Sequence, residues 1–200
     1  MRPYEIITAP FTVYVAPSGT AFPDLDDAEP LAPWELLGLN GTRSQDEDGV
    51  TITHEQTVNE IRAGGSTGPL KAARTEEGLV VAFNLMDLTL EAYAYVLNAA
   101  TVTETAAGAG AVGTARIGLS RGFNVAELAM LVRGPSPYDE DLLMQYELPR
   151  VYESASAAPQ FTKGAAAILA CEFRALEDLD AATEAARFGT LRAATAPATA

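Results

Sequence analysis

The chain has 200 residues, with 27 acids against 13 bases, one His and one Cys, for a formal charge of −14. Its size suits one domain with a core large enough to need no disulfide or metal, and 48% hydrophobic content argues against bulk disorder. A pI near 4.3 disfavours tight binding to phosphates or to an anionic membrane surface, and a single cysteine excludes an intrachain disulfide.

The N-terminal residues predict no signal peptide, because Glu5 and Pro10 interrupt any apolar region, and no apolar run approaches the roughly 20 residues of a membrane-spanning helix. A cytoplasmic site of synthesis is the resulting expectation. Residues 11–16 predict a first strand, with Phe11, Val13 and Val15 on one face, ended by Pro17, Ser18 and Gly19. Residues 24–60 hold ten acids against one base, Arg43, which makes a solvated surface dense enough to set a local field. Trp34, the only Trp, stands beside Leu36 and Leu37 and is expected to anchor core.

Residues 50–61 alternate, with Val50, Ile52, His54, Gln56 and Val58 on one face and only polar residues on the other, as in a strand with one wet side. His54 falls mid-strand and has no His or Cys partner in the pattern. A flexible glycine-rich loop over 63–69 and a short strand over 79–85 follow. Asp87 is the expected N-cap of a helix reaching about Asn98, with Leu90, Tyr93, Ala94 and Leu97 as its apolar stripe.

Residues 99–113 read as an Ala/Gly/Thr loop. Strands are expected over 114–119, 125–133, 142–152 and 165–176. Pro149 marks an edge or bulge in the third of these. A short helix capped by Asp180 and ended by Gly189, then a strand over 190–193, complete residues 1–193 as a single domain; residues 194–200 form an Ala/Thr/Pro tail, disordered on its own. Strands that cluster without regular βα alternation predict a mainly β fold, an antiparallel barrel or sandwich with one flanking α-helix.

Chemistry is thinly represented. The letters Gly108-Ala109-Gly110-Ala111-Val112-Gly113 match a dinucleotide fingerprint, but that mechanism needs a strand before the motif and a helix after it. Here a strand follows, so a loop is the better reading. Asp46-Glu47-Asp48-Gly49 lacks the alternating ligands and closing Glu of a calcium loop. The paired acids Glu177 and Asp178 have no aromatic-lined cleft in the sequence. Ser44, Ser66, Ser120 and Ser136 have only His54 as a possible base and no nucleophile elbow, and Cys171 lies in an apolar run as a small buried hydrophobe. No catalytic, metal or cofactor residue is assigned.

The order of elements carries more. Phe11-Thr12-Val13-Tyr14-Val15-Ala16-Pro17 leads to Gly19-Thr20 and Pro23, then Trp34-Glu35-Leu36-Leu37-Gly38, Asp48-Gly49-Val50-Thr51-Ile52, the glycine loop with residues 71–75, and residues 80–87 with their helix. Phe161-Thr162-Lys163, Phe173-Arg174-Ala175-Leu176 and Phe188-Gly189-Thr190-Leu191 close the chain. This order resembles the tail tube (major tail) proteins of tailed bacteriophages and related phage-like particles, over most of the chain.

The resemblance implies hexameric rings of barrel or sandwich subunits, stacked into a hollow tube that delivers double-stranded DNA without binding it specifically. It implies a long loop at about 41–78 that reaches the neighbouring ring, with Gly64, Gly65, Ser66, Thr67, Gly68, Lys71 and Arg74 as its stacking residues. Other copies, a tape measure protein and a terminator protein are the implied partners, and the virion tail is the implied location. An acidic lining would repel the sliding polyanion; Glu127, Glu147 and Glu172, placed mid-strand among apolar neighbours, are the first candidates, with a salt bridge or outer face as the alternative for each. A tail terminator or head–tail joining ring is the second reading.

Overall fold

The computed structural model describes residues 3–38, 45–139 and 141–197. Arg43, Ser44 and residues 198–200 of the tail lie outside them. The protein is mainly β, with one α-helix and an antiparallel sheet. Its strands are β1 (Thr12–Pro17), β2 (Glu35–Gly38), β3 (Gln45–Ile61), β4 (Lys71–Leu85), β5 (Val102–Thr105), β6 (Thr114–Ile117), β7 (Leu128–Pro135), β8 (Leu143–Glu153), β9 (Leu169–Ala175) and β10 (Thr190–Ala193), with α1 (Leu90–Val96) between β4 and β5.

Hydrogen-bonded neighbours run β2-β1-β7-β8-β9-β4-β3, all antiparallel, and β10 also pairs with β8; β5 and β6 form a separate pair. The sheet curls. Leu37 of β2 at one end and Val50 and Ile52 of β3 at the other join one core with Val13, Val81, Met130, Leu148 and Phe173. A Cβ on Gly38 would stand 2.6 Å from the Gln45 side chain, so the first and last strands meet there. Among the described residues no ladder joins them.

β8 turns the corner. On one edge it pairs with β7; on the other, residues 144–147 pair with β10 and residues 151–153 with β9. Pro149 sits at the change of partner, opposite a register shift between Leu128 and Met130. A residue without an N–H belongs at such a bulge, as expected from the sequence.

β7 is buried on both faces. Met130 and Val132 enter the main core, while Ala129 and Leu131 enter a smaller cluster with Ala16 and Trp34. The covering element is the 18–34 loop. Trp34 Nε1 donates to the Ala21 carbonyl (3.0 Å) and its ring lies 5.3 Å from that of Phe22. Trp34 is thus a core anchor, though of the satellite cluster.

Several elements differ from their sequence patterns. The helix is one of seven residues, capped by Thr89, whose Oγ1 accepts from Ala92 N–H; Asp87 instead accepts from Thr89 N–H. Asp180 caps nothing: its region holds only a 3-10 turn over Glu184–Ala186 behind Thr183, whose side chain makes no cap bond. Gly189 ends that turn with φ +120, and a Cβ there would lie 2.0 Å from the Glu147 carbonyl oxygen, so β10 docks on β8 only with a glycine. The tail begins tied down, since Ala194 N–H donates to Leu143 O (3.0 Å) and Ala194 O accepts from Ser136 Oγ (2.7 Å).

The largest difference is the expected loop at 41–78. Its described part is a strand, a tip and half of another strand. β3 and β4 pair continuously from Val50 with Phe83 to Ile61 with Lys71, apart from one bulge near Thr57. Lys71 and Arg74 are strand residues, not loop residues.

Candidate functional site

Beyond Ile52 every residue of β3 is exposed, and so are residues 71–77 of β4. The two strands therefore leave the body as a free ribbon. Thr53, His54 and Glu55 still pair with Val80, Leu79 and Gly78 of the body, so the free part is residues 56–61 against 71–77, an arm of roughly 20 Å at about 3.3 Å per residue. Val58, Ile61 and Leu70 are exposed on it. A lone two-stranded ribbon with no core of its own is marginal in water.

The arm is also electrically distinct. Residues 53–77 hold Glu55, Glu60, Glu76 and Glu77 against Arg62, Lys71 and Arg74, a net −1 in a chain of −14. Arg62 pairs locally with Glu60 and Arg74 with Glu77 (3.6 Å), and Arg74 also donates across the ribbon to Gln56 Oε1 (3.2 Å). The tip is a turn in which Ser66 N–H donates to Ala63 O (3.1 Å) and Arg62 to Thr67 O (3.2 Å). A Cβ on Gly64, Gly65 or Gly68 meets nothing within 4 Å. The structure thus brings all seven proposed stacking residues onto one arm, five at its tip and two on its second strand.

The three proposed lumen acids separate. Glu127 makes a two-pronged ion pair with Arg150 (2.9 and 3.0 Å). Glu172 points away from the core, accepting from Ser154 Oγ (2.7 Å) beside Arg174 (3.4 Å). Glu147 is a correction. Its side chain is 9% exposed and accepts from Arg192 (2.9 Å), Thr190 (2.9 Å) and Gln145 (2.6 Å), so it faces no open space.

Glu147 belongs to a buried polar network that strand alternation alone does not reveal. Arg133, 5% exposed, donates to Gln145 Oε1 (2.8 and 3.0 Å) and to the carbonyls of Asp24 and Asp27 (both 2.7 Å). Gln145 Nε2 donates onward to Pro23 O (2.9 Å) and Glu147. The network fastens the acidic 18–34 loop over β7 and β8. Burial pulls the Arg133 guanidinium down from the ordinary arginine value, while Tyr14, Asp27 and Glu147 push it back up.

A third held segment follows α1. Asn98, at φ +63, donates from Nδ2 to the carbonyls of Arg121 and Asn124 (both 2.7 Å) and accepts from Ala126 N–H. Arg121 donates to Ala155 O (2.9 Å) and faces Glu153 at 3.5 Å. Burial raises the Glu153 carboxyl above the ordinary glutamate value, against the opposing pull of Arg121 and Ala155 N–H, with Glu172 adding to the rise. The folded chain therefore holds this proton more tightly than the unfolded chain does, and stability falls as pH rises through the folded value. Glu153→Gln is expected to melt higher than the wild type at pH 7 and to show no difference below about pH 4. Thermal melts across pH measure this; an equal gain at both pH values would assign the effect to packing.

The residues weighed for chemistry are scattered. Gly108 and Ala111 exchange backbone hydrogen bonds (3.1 Å each) in the hairpin tip between β5 and β6, with no helix following. Asp46 accepts from Asn84 (2.8 Å) and from Asp48 N–H (3.2 Å). Burial and the charge of Glu153 push the Cys171 thiol up to about 12, which makes it unreactive. Glu177 pairs with Arg187 (3.6 Å), and Asp178 accepts from Asp180 N–H (3.1 Å). Among the described residues no three His, Cys, Asp or Glu gather as metal ligands, and no helix is long and apolar enough to cross a membrane.

No known protein family model matches this chain, and a search of curated proteins returned no significant match.

Proposed function

We propose that this protein is the tail tube subunit of a tailed bacteriophage or a related phage-like particle. Six copies form a ring, the curled sheets join into a continuous inner barrel, and the rings stack into a hollow virion tail through which double-stranded DNA passes unbound. The tape measure and terminator proteins would set the length and the end of that tube.

The observation that carries this reading is the arm. A ribbon of about 20 Å with no core of its own, a near-neutral surface and exposed Val58, Ile61 and Leu70 is suited to docking on another subunit. The curled sheet supports the barrel, because its two end strands converge at Gly38 and Gln45. The long edge of β3, unpaired among the described residues, supports lateral assembly, since an unpaired edge is a liability in a monomer. Glu127 and Glu172 remain candidates for the lining, each softened by an arginine; Glu147 drops out.

Negative-stain electron microscopy of the purified protein over a range of concentrations tests the proposal. Hollow tubes of stacked rings are the expected result. Rings that never stack would favour the tail terminator or head–tail joining alternative, and a monomer at every concentration would overturn both.

A further inference from the structure

Residues 105–126 contain no acid and two arginines, Arg116 and Arg121, in a chain of 27 acids. Within this stretch Phe123 is 101% exposed, and Leu119 and Val125 flank it at 77% and 61%. The loop is nonetheless held in shape. Asn98 bonds three of its backbone groups, Arg121 ties it to Ala155, and Gly122 at φ +73 turns the chain just before Phe123. An aromatic side chain with no packing, on a loop fixed by at least four hydrogen bonds, has the form of an interface anchor.

The same chain carries a surface of opposite character. Where the arm leaves the body, a cleft of about 750 Å³ opens between β3, β4 and the ends of β8 and β9. Glu55, Glu76 and Glu77 line it with a single base, Arg174, and Leu79 and Tyr152 add apolar wall. Arg174 is already bonded to Glu55 (2.9 Å) and Arg74 lies 3.6 Å from Glu77, which leaves the acidic excess at Glu76.

We infer that the Phe123 loop seats in the arm-root cleft of a second copy of this chain. With Arg121 turned onto Glu153, Arg116 of β6 is the basic charge beside the apolar loop, and it complements the acidic, partly apolar cleft. This inference rests on the self-assembly reading and names one contact within it. The contact fixes the root of the arm, whose tip is then free to reach farther.

The test is a pair of cysteines, Phe123→Cys with Glu77→Cys, oxidised under conditions where the wild type assembles. Cys171 is buried and does not compete. The double variant is expected to give inter-chain linked species on a non-reducing gel, and each single variant little. Phe123→Ala is expected to keep the wild-type melt, since the ring packs on nothing, and to raise the concentration needed for assembly at least about tenfold. Equal crosslinking in single and double variants, or unchanged assembly of Phe123→Ala, would overturn the contact while leaving wild-type rings or tubes in evidence. A wild type that stays monomeric at every concentration would instead remove the assembly reading, and this contact with it.

Discussion

Under the proposed tail tube function, removing the arm is expected to give a folded protein that builds no tubes. Glu55 and Gly78 face each other across the ribbon, so residues 56–77 can be replaced by Asn-Gly, a two-residue turn that closes such a pair without strain. The Glu55–Arg174 contact survives the cut. No excised side chain belongs to either core cluster, so the melting temperature should shift by no more than a few degrees, about what 1 kcal/mol produces in a chain of this size. Assembly should fail even at roughly 100-fold above the wild-type threshold, a loss of about 2.7 kcal/mol or more in contact energy. The smaller deletion of residues 63–70 separates tip from ribbon, and rings without tubes are its expected product. Normal tubes from the armless variant would show that the arm is not an assembly element, and an unfolded product would mean that it supports the body.

The two kinds of strand in this protein differ in how far local sequence reveals them. β1 and β8 were legible because apolar residues recur at every second position, and one-residue offsets such as Thr12–Pro17 for 11–16 are all that changed. Residues 71–77, Lys-Ala-Ala-Arg-Thr-Glu-Glu, carry no alternation. They are a strand because β3 lies beside them, a non-local cause that no window of the sequence contains. The helix was legible in its stripe but not in its start, because Asp87 and Thr89 are both good caps and only geometry chooses between them.

Glu147 was misplaced for a related reason. Alternation put it opposite Met144 and Leu148 and therefore on a presumed wet face. That face is covered by the 18–34 loop and by β10, whose pairing sets Thr190 across from Glu147 and Arg192 across from Gln145. The signal in the sequence was the trio Arg133, Gln145 and Glu147 on two adjacent strands, which becomes a network only once the strands are paired in register. The arm tip, by contrast, was located by its glycines alone, since open backbone and small residues mark a tip wherever the flanking strands begin.

The second large effect is expected at Arg133. Truncation to Ala removes four hydrogen bonds and leaves Gln145 Oε1 and the carbonyls of Asp24 and Asp27 without the guanidinium that joins them. Breaking a buried charged network by deleting one member costs about 3–5 kcal/mol. That is a large share of the roughly 5–15 kcal/mol that holds a domain folded. Chemical denaturation should show a lower midpoint with an unchanged slope. Trp34 offers a local reading, because it is the only tryptophan and sits in the loop that the network fastens, so its emission should shift before the sheet unfolds. Arg133→Lys should recover little, since an ammonium cannot present the guanidinium fork to Gln145 and two carbonyls at once. Arg133→Met with Gln145→Leu should recover more than Arg133→Lys, because it removes the buried polar partner along with the charge. If Arg133→Ala costs less than about 1 kcal/mol, the network's hydrogen bonds do no more than balance their own desolvation. The 18–34 loop would then be held by Trp34 and Phe22 packing against the satellite core, and its acids would stand where they do for apolar reasons.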